Sequence, residues 1–567
     1  MKTEKIRKCW RRVLLAVAGA LLPVALQAQV NIGGRACRFD AASGLLLCPV
    51  SASAYGADYV CAVSLDADSA WRALEIEHTP VPSGSVYRFA RMDGRTDYAF
   101  TALRPDGRAV EGHIAFTSLP LVSLDGTFGY DYSEGLFTWL DSAAAAPSPL
   151  RARLKWRGGI TNTASRHKRN YRVKFVKADG TKKNRSFFGL RSDNDWVLDA
   201  AQVDLARCRN RVATDLWLDM ASRPYYADQA PEARLGARGD FVELFLNGRY
   251  EGVYTLMECV DRKQMQLAEY ADGTFHGMLW KASEWTPSTA FGADLPFDGW
   301  QESCNGTEVK YPDFDDVCPT DYSTLARAVR FMATAPPEAV ADSLDYYFDT
   351  DVLRDYFVFL NVVMGVDNPV KNLYWACYDQ ELSPRLTLAA WDLDATFGQL
   401  YTTQGYQTER LGPETDFVNV WTGGSLIGRL DDHPWFVRST VDRYRELRPG
   451  ILSTDSVQTR IARVFDRLLS SGAARREAQR WSGDTDIHGL QIDLEAERDR
   501  VLEWIDRRLA YLDRNFTPSS IQRVAADGSY RPLRGIYLPD GRRLPHTEVK
   551  SLPQGFYIVD GQKVVVR

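Results

Sequence analysis

The chain has 567 residues, 45% of them apolar and 25% charged, with a formal net charge of -5. That composition excludes a disordered or fibrous chain, and the length suits several domains with large cores. The acidic balance excludes a general affinity for nucleic acid or anionic lipid and leaves room only for local basic patches.

The first segment is a targeting signal. "MKTEKIRKCWRR" is basic, "VLLAVAGALLPVALQA" is uncharged and apolar, and small residues follow near Ala28. This is the order of a secretory signal peptide over residues 1–28. The apolar run carries Pro23 and is shorter than the about 20 residues a spanning helix needs. The chain is therefore expected to be exported, to the periplasm, the cell surface or beyond, with no stable membrane insertion after cleavage. Nine cysteines less Cys9 leave an even number, which an oxidising compartment permits to pair. Cys37 with Cys48, and Cys304 with Cys318, are the candidate disulfides. Cys208, Cys259 and Cys377 lie in apolar-periodic segments and read as buried thiols.

Residues 29–118 alternate apolar and polar positions in short runs separated by turns such as "MDG" and "PDG", which predicts a small antiparallel β-sandwich of immunoglobulin or fibronectin type. Strand patterns continue to about residue 190, and a helix is expected over 203–221. "GDFVELFLNGRYEGVYTLMECVDRK" reads as a hairpin turning at its Asn-Gly pair. Helical periodicity occupies 323–365 and 432–515, the latter with a clear apolar stripe in "ERDRVLEWIDRRLAYLDRNF". Between them, 366–398 reads as loop, strand, turn, strand, loop. The fold class is α+β: a sandwich, one large lobe over 119–515, and a short β-hairpin tail over 516–567.

The chemistry gathers in that middle stretch. Asp367 and Asn372 stand five apart in "DNPVKN", a probable hairpin follows, and Asp392 and Asp394 leave it in "WDLD". Taken singly, the first pair reads equally as turn residues capping a strand, and the second as a solvated loop or a Ca²⁺ site. The order D-x4-N, hairpin, D-x-D is that of a catalytic aspartate followed by the metal ligands of a phosphoryl-transfer site.

Several further motifs fall in one order. "KWRGGITNTASRHKRNYRVKF", "FFGLRSDNDWVLDAAQVDLARCRNRVATDL", "VELFLNGRYEGVYTLMECVDRK", "NVVMGVDNPVKNLYW" and "LAAWDLDATFG" together resemble the CotH kinase family, secreted or spore-coat proteins with an atypical protein-kinase-like fold. The resemblance spans about 120–515. It implies that Asp367 orients or accepts the proton of a substrate hydroxyl, and that Asn372 and one or both of Asp392 and Asp394 hold Mg²⁺ or Mn²⁺. It implies ATP as cofactor, with Lys168 or Lys174 on its phosphates, Glu258 paired with that lysine or touching the nucleotide, Arg157 opening the phosphate-covering segment, and Arg209 with Asn210 lining the cleft. A protein carrying Ser or Thr hydroxyls is the implied partner. Gly159 stands where the family usually has Asn. The tail "GIYLPDGRRL…LPQGFYIVDGQKVVVR" resembles the C-terminal β-domain of type IX-secreted proteins.

Two other classes remain open at this level. One is a catalytically inactive surface, adhesion or scaffold protein that retains the fold. The other, a carbohydrate hydrolase using paired carboxylates, fits less well because Asp392 and Asp394 lie on one element.

Overall fold

The computed structural model describes residues 30–516, apart from 67–68, 143–147, 164, 402–407 and 417–424, together with short stretches of the tail between 536 and 566. The expected signal peptide lies outside the described residues.

The N-terminal region is a two-sheet sandwich around the buried side chains of Ile32, Phe39, Trp71, Phe89, Phe100 and Phe116. One sheet has four strands and the other six. The all-antiparallel expectation needs correcting: Leu45–Pro49 pairs in parallel with Ala109–Thr117, His113 opposite Leu45. Nor does the sandwich hang free. Leu45, Leu47 and Ala115 share a buried apolar cluster with Leu121, Leu140, Phe245 and Tyr250 of the next region. Cys37 and Cys48 are free thiols in the sandwich, with burial and the neighbouring Cys37 pushing Cys48 up. Cys304 is also a thiol, its sulfur accepting the Asp298 N–H at 3.4 Å. The candidate bridges are therefore absent among the described residues.

The next region is a closed seven-stranded barrel. Strands Leu121–Gly126, Ser133–Leu140, Leu150–Arg157, Asn170–Phe175, Asp195–Asp199, Arg249–Met257 and Gly239–Leu246 follow one another around it, and a parallel pairing of the first with the last closes it. Alternation dictates the filling: Tyr171, Val173 and Phe175 point inward while Arg172 and Lys174 are only partly covered. The hairpin turns at Asn247 and Gly248, both at positive φ, as a two-residue turn of this kind requires. Asn247 also brackets the Gly126 peptide, donating to its carbonyl at 3.0 Å and accepting from its N–H at 2.8 Å.

Between barrel strands sits the helix Arg209–Met220, shorter than the predicted 203–221. Asp204 explains the late start, because its carboxylate accepts the N–H groups of Ala206 and Arg209 at 2.9 and 2.8 Å and ends any earlier turn. A five-stranded antiparallel sheet then runs in the order Ser303–Cys304, Thr307–Tyr311, Met278–Ala282, Leu373–Cys377, Leu386–Ala390. The expected helical stretch 323–365 is three helices, Ser323–Thr334, Pro337–Tyr347 and Thr350–Val363. Pro336 and Pro337 break it first, and Asp349 caps the last helix. Helices from Leu426 to Asn515 pack on the helices Thr350–Val363 and Arg209–Met220 and on the barrel strand Arg249–Met257, and share the largest core with the five-stranded sheet. The described tail strands make a four-stranded antiparallel sheet. Among the described residues no helix is long and apolar enough to cross a membrane.

Candidate functional site

The two loops singled out from sequence meet beyond the ends of the strands Leu373–Cys377 and Leu386–Ala390. Register forces this: Leu373 opposes Ala390, so Asn372 and Trp391 stand side by side. Trp391 N–H donates to Asn372 O at 3.1 Å. Asn368, fully buried, donates to the carbonyls of Asn372 and Trp391 at 3.3 and 2.9 Å and ties the loops together. Asn372 and Asp392 both hold left-handed backbone, φ 59° and 57°. Asn and Asp tolerate that conformation better than most residues, and such positions concentrate at functional sites.

Asp367 is partly exposed. Its Oδ2 accepts Asn372 Nδ2 at 2.9 Å and Lys371 Nζ at 2.9 Å, and its Oδ1 accepts the Trp285 indole N–H at 3.1 Å. Turning its amide nitrogen to Asp367 leaves the Asn372 carbonyl oxygen as the donor atom for a cation. Asp392 opens to the cleft. Crowding by protein and the Asp199 carboxylate push its pKa up, against the pull of Lys281, Arg157 and Lys371. Asp394 is pushed up further, by burial and then by Asp392, Asp199, Asp204 and Asp367. Carboxylates that raise one another in this way are the donor set a hard divalent cation relieves. The residues therefore fit Mg²⁺ or Mn²⁺.

Asn210 sets where this loop lies. Its Nδ2 donates to Asp199 Oδ2 at 3.0 Å, and its Oδ1 accepts Leu393 N–H at 3.0 Å, between the two aspartates. The helix start thus fastens the D-x-D loop to the end of the barrel strand Asp195–Asp199.

Opposite the acids lies a row of cations. Arg157 ends its barrel strand with its guanidinium 5.4 Å from the Trp391 ring. Burial, and then Arg157, lower Lys281 to about 8, with Lys371 and Arg172 also pressing on it. Lys310 is lowered to about 8 by burial and by Lys281. Mutually repelling cations beside mutually repelling carboxylates suit a metal-bound polyphosphate.

Four of these side chains have no counterpart among the sequence-based candidates: Asp199, Lys281, Lys310 and Lys371. Lys281 carried a signal, being the lone charge in the strand "MLWKA". The others are ordinary charges until the fold places them.

Three expected ligands are elsewhere. Lys168 is 1% exposed. It donates to Glu477 Oε1 at 2.8 Å and to Val253 O at 2.7 Å, and burial lowers it to about 8. Its ammonium is thus paired with Glu477 and not with Glu258. Arg209 is equally buried between Asp204 and Glu497 and does not line the cleft. Glu258 pairs with Arg238 at 3.1 Å and accepts the Arg191 N–H at 2.8 Å, and among the described residues no lysine meets it. Lys174 is half-exposed, 3.7 Å from Asp195 and 5.2 Å from the Tyr132 ring. His167, Asp484 and Asp486 form another grouping of possible metal ligands. Asp484 already meets His167 Nδ1 at 2.9 Å, and Asp486 takes the His167 N–H at 2.7 Å, so the grouping braces a loop.

Residues 154–512 match the family model described as CotH kinase protein. The chain is also 20% identical to the inner spore coat protein H of Bacillus subtilis (strain 168) over 349 residues, which is 61% of this chain and 82% of that protein. The matched stretch carries every residue of the cleft from Arg157 to Asp394, and this chain belongs to the CotH kinase protein family.

Proposed function

We propose that this protein transfers the γ-phosphoryl group of ATP to Ser or Thr hydroxyls of a protein, with Mg²⁺ or Mn²⁺ bound by Asn372, Asp392 and Asp394. One observation carries the reading: strand pairing brings the D-x4-N and D-x-D loops together, with Asn372 and Lys371 both bonded to Asp367 and with Asp392 in the fields of Lys281, Arg157 and Lys371. A divalent cation supplies neutralisation of phosphate charge at that point. The chain's own groups do the remainder. Arg157, Lys281 and Lys310 bind phosphate oxygens. Asp367, its carboxylate fixed by Lys371, Asn372 and Trp285, accepts a hydrogen bond from the acceptor hydroxyl and orients it for in-line attack.

Export fits the reading of residues 1–28 and the small β-sheet of the tail, which we take as a sorting element of the type IX kind. The spore-coat relative supports a surface or extracellular location. Phosphorylation during transit would meet the scarcity of ATP outside the cell.

Protein lacking residues 1–28, incubated with labelled ATP and Mn²⁺ beside the Asp367→Ala, Asp392→Ala double variant, tests the proposal. Labelling by wild type that disappears in the variant supports it. A folded wild type that neither binds nor turns over the nucleotide sinks it and favours a retained scaffold.

A further inference from the structure

Trp285 lies three residues beyond the strand Met278–Ala282 and reaches the cleft. Its indole N–H donates to Asp367 Oδ1 at 3.1 Å, while Oδ2 takes Asn372 and Lys371. The two oxygens therefore face different ways. Oδ2 is thus turned to Asn372, a candidate metal ligand, and Oδ1 to the indole. The indole nonetheless remains 37% exposed.

The turn that carries it is braced. Ser283 N–H donates to Gly306 O at 2.8 Å, Thr286 Oγ1 to Asn305 O at 2.7 Å, and the buried Thr289 Oγ1 to Glu284 O at 2.7 Å. Those bonds brace the backbone on both sides of Trp285.

We infer that Trp285 is the acceptor-side wall of the site: a polypeptide whose hydroxyl reaches Asp367 Oδ1 lies with its neighbouring atoms against the exposed indole face. This rests on Asp367 acting on a hydroxyl, as proposed above. A carboxylate oxygen offers two lone pairs, and the indole N–H takes one of those on Oδ1. The acceptor hydroxyl takes the other, at about 2.7 Å. Its Cβ and the adjoining backbone then cannot avoid a ring whose nitrogen is bonded to the same oxygen. On the function proposed above, the nucleotide's metal is held on the Oδ2 side, where Asn372 bonds, and the indole is bonded to the other oxygen. Trp285 therefore discriminates among acceptors and leaves nucleotide affinity alone.

The test uses the mature chain with Mn²⁺–ATP as donor and dephosphorylated β-casein as acceptor probe, comparing wild type, Trp285→Ala and Trp285→Phe. Trp285→Ala is expected to raise the KM for casein about tenfold, while the calorimetric Kd for Mn²⁺–ATP and the melting temperature stay near wild type. Trp285→Phe keeps a ring but no donor, and should recover most of the casein KM. An unchanged casein KM in both variants, or an equal loss of ATP affinity, overturns the inference. Wild type that binds Mn²⁺–ATP but neither binds nor modifies casein overturns the polypeptide wall and spares the nucleotide site. Wild type that binds no nucleotide defeats the phosphotransfer reading, and the wall with it.

Discussion

Two charged clusters are built from similar residues, and burial lowers a lysine in each to about 8, yet their carboxylates behave in opposite ways. Around Glu477, the carboxylate takes Lys168 at 2.8 Å, Arg207 at 2.6 Å and the Val253 N–H at 2.7 Å, all buried. Burial alone would push Glu477 up, yet Lys168 and Arg207 outweigh it and hold the carboxyl below its usual range. In the cleft, Asp392 and Asp394 are driven up and Lys281 down, first because surrounding protein strips away water and then because each has neighbours of its own sign. The first cluster is complete within the chain. The second, on the function proposed above, is the one that takes a ligand. A charged residue is therefore assigned to scaffold or to ligand by its set of partners, and residue type says little.

Breaking the closed cluster should have the largest effect. Glu477→Ala leaves Lys168 and Arg207 buried without a counter-charge, and the cost is about 3–5 kcal/mol, read as a lost or strongly lowered melting transition. Asp367→Ala should leave the melting temperature almost unchanged and lower phosphoryl transfer about a thousandfold, near 4 kcal/mol of barrier, as removal of a group that positions a reacting hydroxyl does. Lys281→Met should raise the KM for ATP about tenfold to thirtyfold, roughly 1.4–2 kcal/mol of charge-assisted hydrogen bonding, with stability unchanged or slightly higher. If Lys168→Met matches Lys281→Met in KM while keeping full stability, the contrast between the clusters fails.

The acidic side of the cleft was legible in sequence, and of its cationic side only Arg157 was. Asp367, Asn372, Asp392 and Asp394 sit on two loops that flank one hairpin, so strand pairing alone brings them together. Arg157, Lys281 and Lys310 come from the barrel and the five-stranded sheet, and only tertiary packing makes them neighbours. A motif can also be legible for a reason the sequence hides. In "NGRYEGVYTLME", Gly252 is at φ 93°, and an added Cβ would overlap the Glu477 carboxylate. That glycine serves the buried ion cluster, as does Lys168, and Glu258 at the strand's end serves Arg238. The barrel itself escaped notice because closure depends on the parallel pairing of Leu121–Gly126 with Gly239–Leu246, more than a hundred residues apart. Strand content was visible throughout, but pairing at that distance leaves no local periodicity.

The smallest expected effect is the sharpest test of the open cluster. Asp394 has its pKa raised in the folded chain above its ordinary carboxylate value, chiefly by burial and then by Asp392 and Asp199. A group raised on folding holds its proton more tightly in the native state, so ionising it costs stability that is lost as pH rises from the unfolded pKa through the folded one. Without metal at neutral pH, Asp394 is thus a net burden. Asp394→Asn keeps the shape and removes the charge, and should raise the metal-free melting temperature by a few degrees, about 1 kcal/mol. Wild type, in turn, should gain stability on adding Mn²⁺, while the variant gains little. Two melting curves for each protein, with EDTA and with Mn²⁺, decide it. A variant less stable than wild type in EDTA would show that Asp394 is already satisfied within the chain, and would move it from the open cluster to the closed one.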